Sequence, residues 1–178
     1  GASFDDNNRD ASKVSPIAEI SWLTDDKEGN SKRTYLSYAE STQVAGYTAI
    51  GGSETRGLFR SNHNLARETT KNLELGHSIA TQELILDLCV FYRWDNDLTD
   101  WTYFVGDVNR TANPVDTETF GGEIIGSRKW QDFEVLVSYG YLSKEEDYKK
   151  PDFVGSFYAL NFPKHRVTLG FIWDPSDL

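Results

Sequence analysis

The sequence predicts an all-β fold: an antiparallel up-and-down transmembrane β-barrel, to which residues 1–178 supply one partial domain of about seven strands. Three observations predict it. Apolar residues recur at every second position almost throughout, which is the side-chain period of a strand. Several of these rows finish in Tyr or Trp, as a belt at a membrane–water interface requires. Short and long connections alternate, which gives one plain end and one elaborated end.

The elements follow in order. Residues 1–13 are polar and read as the end of a loop. In a strand over 17–23, Ala18, Ile20 and Trp22 oppose Glu19 and Ser21. A connection of intermediate length, 24–32, is the exception to the alternation. A strand at 33–39 leads into a long connection, 40–68. In the strand at 69–79, Leu73, Leu75 and Ile79 oppose Asn72, Glu74 and Ser78. His77 falls on the apolar side, where an interface position accounts for it. A tight gap near 80–81 follows.

The clearest strand is 82–104. Leu84, Leu86, Leu88, Val90, Tyr92 and Trp94 share one face, and Ile85, Asp87, Cys89, Phe91, Arg93 and Asp95 the other. A helix would not sort these residues so cleanly. The run is too long for an ordinary soluble strand and suits a tilted strand that projects beyond a membrane. A connection at 105–114 precedes a strand at 115–129. After a tight gap near 130–131, Phe133, Val135, Val137, Tyr139 and Tyr141 oppose Glu134, Leu136, Ser138 and Gly140 within 132–142. The long connection 143–164 leads to 165–173, where Val167, Leu169, Phe171 and Trp173 oppose Arg166, Thr168 and Gly170. Asp174, Pro175, Ser176 and Asp177 then form a turn signal.

Composition bounds the function. Hydrophobic residues make up 38% and aromatics 13%, a balance that suits a sheet with one apolar face. The net charge of -10 argues against nucleic acid and against adsorption to anionic lipid. A single cysteine, Cys89, makes no internal disulfide and no multi-thiolate metal site; it reads as a small hydrophobe, buried or facing lipid. The sequence has no methionine, no signal peptide and no run long enough for a spanning helix. A membrane role therefore requires strands, because only helices and closed barrels satisfy the backbone there.

Seven stretches, in order, resemble one family. Residues 33–41 (RTYLSYAES), 62–69 (NHNLARET), 72–76 (NLELG), 88–93 (LCVFYR), 120–124 (FGGEI), 137–142 (VSYGYL) and 162–170 (FPKHRVTLG) are similar to strand motifs of TonB-dependent receptors. The resemblance implies a barrel of about 22 strands around an N-terminal plug. It implies residence in the outer membrane of a Gram-negative bacterium, and uptake of a scarce nutrient such as a ferric siderophore, cobalamin or a glycan. The implied partners are the TonB complex, reached through the plug, a small-molecule nutrient and outer-membrane lipid. Set against the family, the chain reads as an internal piece of the barrel, with plug and terminal strands expected outside it. The resemblance implies no enzymatic activity and no cofactor.

Candidate residues come from two places. Tyr47, Arg56, Phe59, Arg60 and His63 lie in the long connection 40–68, where cations and aromatics suit a substrate-contacting outer loop. Glu74, Asp87, Arg93 and Glu123 oppose the apolar rows and would face the lumen. Asp95, Asn96, Asp97 and Asp100 lack the Gly and distal Glu of a calcium loop and read as water-facing acids. His165 reads as structural. Asn109-Arg110-Thr111 matches the glycosylation pattern without meaning in this setting. No phosphate loop or nucleophile elbow is present. The sequence leaves two rival classes open: a soluble β-sandwich binding module, and a barrel enzyme with a serine nucleophile.

Overall fold

The computed structural model describes residues 1–8, 10–27, 29–148, 153–156 and 162–175. Its strands are β1 (Ala2–Asp5), β2 (Lys13–Asp25), β3 (Ser31–Gln43), β4 (Phe59–Arg60), β5 (Glu68–Ala80), β6 (Leu84–Phe104), β7 (Arg110–Trp130), β8 (Phe133–Asp147), β9 (Phe153–Ser156) and β10 (His165–Trp173). One short helix, α1 (Tyr47–Ile50), lies between β3 and β4. The strands form one sheet in the order β1-β2-β3-β5-β6-β7-β8-β10, with β4 attached to β7 and β9 to β6. Every pairing along the main path is antiparallel.

Register carries the alternation across the whole sheet. Ile20, Leu36, Leu75, Val90, Gly122, Tyr141 and His165 are successive direct partners. So are Trp22, Thr34, His77, Leu88, Ile124, Tyr139 and Val167. Direct partners share a face, so the apolar rows merge into one continuous surface. The opposite face carries Tyr35, Gly76, Cys89, Glu123, Gly140 and Arg166.

The apolar surface stays uncovered: Leu169 is 74% exposed, Phe171 65% and Ile20 61%. Among the described residues the buried apolar side chains are Ala45, Ala49, Ala112 and Val115, all near the elaborated end. A soluble sandwich buries its apolar face under a second layer. Among the described residues this sheet has none, and it is the open wall of a larger barrel.

The plain end is made of close turns. At 26–30 the Asp26 carboxylate accepts the Asn30 amide at 3.0 Å, and Gly29 takes a left-handed φ of 82°. At 81–83 the Thr81 hydroxyl accepts the Leu84 amide at 2.9 Å. At 131–132 Gln131 supplies the positive φ of a two-residue hairpin.

Several expectations are corrected. Residues 1–13 are not simply a loop end: β1 pairs with the start of β2, adding an eighth strand to the path. The 24–32 connection is no exception, because β2 and β3 extend inward and leave a turn at 26–30 like the others on that end. The connection at 105–114 shrinks to 105–109, since β7 begins at Arg110 and pairs with β6. The connections 40–68 and 143–164 contain α1, β4 and β9, while β3 and β8 run on to Gln43 and Asp147. In each case ladder hydrogen bonds to a neighbour, not local composition, decide where the strand ends. Pro114 is tolerated in β7 because it lies beyond the stretch paired with β8, so its missing N–H leaves no ladder gap there.

Candidate functional site at the elaborated end

The strands β6 and β7 continue past the sheet as a long hairpin. Between Asp95 and Leu98 the register shifts by one residue, and Asp97 takes a φ of 56°. Such a bulge bends a strand and increases its twist. Beyond it, β4 from the 44–67 connection pairs with β7, through Phe59 to Arg110 and Arg60 to Thr111. β9, from the connection after β8, pairs with β6. The outer strands thus run in the order β4-β7-β6-β9, so each loop reaches across to the farther strand of the hairpin.

A polar hub fixes the bulge. Asp95 is 1% exposed. Its carboxylate accepts the Thr70 hydroxyl at 2.6 Å, the Thr117 hydroxyl at 3.1 Å and Arg93 Nε at 2.7 and 2.9 Å. The Asp116 carboxylate takes the Asp97 amide at 2.8 Å, and Glu68 takes the Thr99 amide at 3.1 Å. Asp100, also 1% exposed, accepts the Trp101 amide at 2.7 Å and the Tyr148 hydroxyl at 3.3 Å. Reading Asp95 and Asp100 as water-facing acids is therefore corrected. Buried carboxylates persist only when hydrogen-bonded, and here near neighbours, Arg93 and Trp101, act together with the remote Thr70, Thr117 and Tyr148.

A second hub joins two connections. The Arg67 side chain donates to Asp5, to Asp10 Oδ2 at 3.0 Å, to Thr42 Oγ1 at 3.3 Å and to the Ala11 carbonyl at 3.1 Å. It ties Asp5, Asp10 and Ala11 to the end of the 44–67 connection. The bond from Arg67, helped by the Ala11 amide, holds the Asp10 carboxyl below its ordinary value of 3.8. Asp10 in turn raises Arg67.

The five outer-loop candidates divide. Tyr47 opens α1 and is 69% exposed. Arg56 is exposed, and its amide donates to Ser53 Oγ at 3.0 Å. Phe59 meets Trp101 edge-on at 5.1 Å. Arg60 lies beside Asn109, whose amide, turned to satisfy both groups, accepts from the guanidinium at 2.7 Å and donates to the Gly57 carbonyl at 3.1 Å. His63 folds back on its own loop, with Nε2 3.1 Å from the Gly52 carbonyl and its amide donating to Glu54 at 3.0 Å.

The four candidates opposite the apolar rows share one face but not one cluster. Glu74 accepts the Tyr35 hydroxyl at 2.6 Å. Arg93 is engaged by Asp95. Asp87 stands between Ser78 and Ile125, and Glu123 between Cys89 and Gly140. Cys89 is half-buried on this charged face, so reading it as a buried or lipid-facing hydrophobe is corrected. No group of three or more His, Cys, Asp or Glu able to hold a metal occurs among the described residues.

The profile of the family described as "TonB dependent receptor-like, beta-barrel" matches residues 1–178. This chain belongs to that family. The solved structure named "Copper transporter OprC" is similar in fold, with a TM-score of 0.63 at 15% identity. The match covers 94% of this chain and 25% of OprC, so this TonB-dependent receptor chain spans about a quarter of that structure's length. No curated protein sequence matches it.

Other residues of this TonB-dependent receptor barrel stand at the same end and were not singled out from sequence. Trp101 backs Phe59, and Arg110 lies over the Tyr103 ring at 4.2 Å. Arg67 is the centre of the second hub. Trp101 and Tyr103 fall within the stretch 82–104 read as strand, but beyond Trp94, where its alternating rows end. Nothing local distinguishes Arg67 from a solvated loop arginine.

Proposed function

We propose that this chain is a section of the barrel wall of an outer-membrane receptor in a Gram-negative bacterium. The receptor captures a scarce nutrient, such as a ferric siderophore, cobalamin or a glycan, on its outer loops and imports it with energy from the TonB complex, acting through a plug. The observation that carries this reading is the uncovered apolar face, continuous over every strand of the main path, beneath an end built from long connections. Bilayer lipid is the natural cover for such a face, and the opposite face becomes the lumen wall. On this reading Glu74, Asp87, Arg93 and Glu123 line the lumen. Tyr47 and Arg56 present their side chains outward and are the contacts for substrate, while Phe59, Arg60 and His63 hold the loop in shape. The work is binding and passage, with no bond made or broken.

The experiment is uptake by cells that carry the complete receptor as their sole route. A panel of ferric siderophores, cobalamin and glycans is offered, and a copper ion, the cargo named for OprC, belongs in the same panel. Uptake of one member that vanishes without TonB supports the reading. Uptake indifferent to TonB, or a receptor that remains in the soluble fraction, sinks it.

A further inference from the structure

The apolar face is not evenly packed. A groove of about 530 Å³ crosses it between β5 and β8. Leu75, Leu88, Val90 and Ile124 form its walls. The gap arises at Gly122, which stands directly between Val90 and Tyr141 in the row of cross-strand partners. A side chain there would fill the row; its absence leaves a notch.

The polar atoms at the rim are turned to one another. At one end His77 Nδ1 lies 2.8 Å from Thr34 Oγ1. At the other the Tyr139 hydroxyl lies 2.9 Å from His165 Nδ1. With these groups paired, aliphatic carbon and ring faces dominate the groove. Tyr141 and Glu123 complete the lining, but along the aliphatic floor a polar or charged ligand would lose more hydration than these few groups return. A hydrocarbon chain loses nothing and gains close contacts along its length.

We infer that this groove holds one acyl chain of a membrane diacyl phospholipid as a resident, individually bound lipid. The inference rests on the reading that this face meets the bilayer. The groove is continuous with the exposed aliphatic rows on both sides, so a chain of the surrounding lipid reaches it without leaving the hydrocarbon layer.

The test uses the complete receptor refolded into phosphatidylethanolamine–phosphatidylglycerol vesicles, extracted into detergent and weighed by native mass spectrometry. The variant is Gly122→Leu. A Cβ at position 122 meets the Cys89 carbonyl at 3.4 Å and Val90 Cγ1 at 3.5 Å, which are ordinary contacts, so the strand tolerates it. The control is Gly126→Leu, on the same face outside the groove, where the Cβ meets Leu86 Cδ1 at 3.6 Å. Wild type and Gly126→Leu should keep one phospholipid per receptor. Gly122→Leu should keep roughly tenfold less, the loss of about two methylenes' worth of contact. Equal retention by the two variants, or insertion of wild type without bound lipid, overturns the groove alone. A receptor of doubled mass that Gly122→Leu splits makes a second copy the occupant and also overturns it. Failure of the wild type to enter the vesicles removes the membrane reading and the groove together.

Discussion

The ring of Tyr35 lies over the bare Cα of Gly76, its direct partner across β3 and β5. A Cβ at position 76 would stand 2.2 Å from the ring, so only glycine admits this arrangement. The hydroxyl then reaches Glu74 at 2.6 Å. Phe91 repeats the device over its partner Gly121, with 2.3 Å to a Cβ there. An aromatic covering a cross-strand glycine pins register, because a slip would strand both.

Gly76→Ala should therefore cost about 1–3 kcal/mol, as the ring is driven from its seat and its bond to Glu74 is lost. Gly140→Ala lies on the same face, and its Cβ meets nothing within 4 Å. It should stay within about 0.5 kcal/mol of wild type. Urea unfolding of the complete receptor in lipid vesicles compares them. Equal costs for the two would mean that the Tyr35 seat contributes nothing.

The two faces of β6 should answer oppositely to charge. Leu88 lies between His77 and Ile124 on the exposed apolar face, while Asp87 stands on the opposite face between Ser78 and Ile125. Leu88→Arg should cost about 2–4 kcal/mol, since a guanidinium near the bilayer middle loses water without a partner. Asp87→Asn should cost less. The reverse order, measured in the same refolding assay, inverts the face assignment.

Removing the Asp95 carboxylate should loosen the outer hairpin and spare the wall. Asp95→Ala leaves Thr70, Thr117 and Arg93 without their common acceptor, at a local cost of about 1–3 kcal/mol. Hydrogen exchange should quicken across residues 96–116 and stay unchanged across 84–92. Unaltered protection beyond the bulge would deny Asp95 its role there.

Acid should open the Arg67 hub. The carboxyl of Asp10 is held below 3.8 in the folded protein, so its contribution is complete above that ordinary value. It is lost as pH falls through the lowered one. The segment 61–67 should stay protected from exchange at neutral pH and lose protection only in strong acid. Asp10→Asn should show the weaker protection already at neutral pH, and a variant as protected as wild type at pH 7 would rule the hub out.

Sequence alone determined the repeating architecture of this protein. Side chains alternate on a strand by covalent geometry, so Leu84 to Trp94, Phe133 to Tyr141 and Val167 to Trp173 announce their shared face without any partner in view. Position 165 opened its strand where the pattern placed it. Tertiary structure decided what has no local period. The ends of β7 and β8, the existence of β1, β4 and β9, and the crossing of two loops over one hairpin depend on which backbone groups find a ladder partner. Burial of Asp95 and Asp100 depends on Thr70, Thr117 and Tyr148, and the Arg67 hub joins Asp5 and Asp10 to a residue 57 or more positions away. A carboxylate or guanidinium looks solvated in any short stretch of sequence; only the groups that close around it determine otherwise.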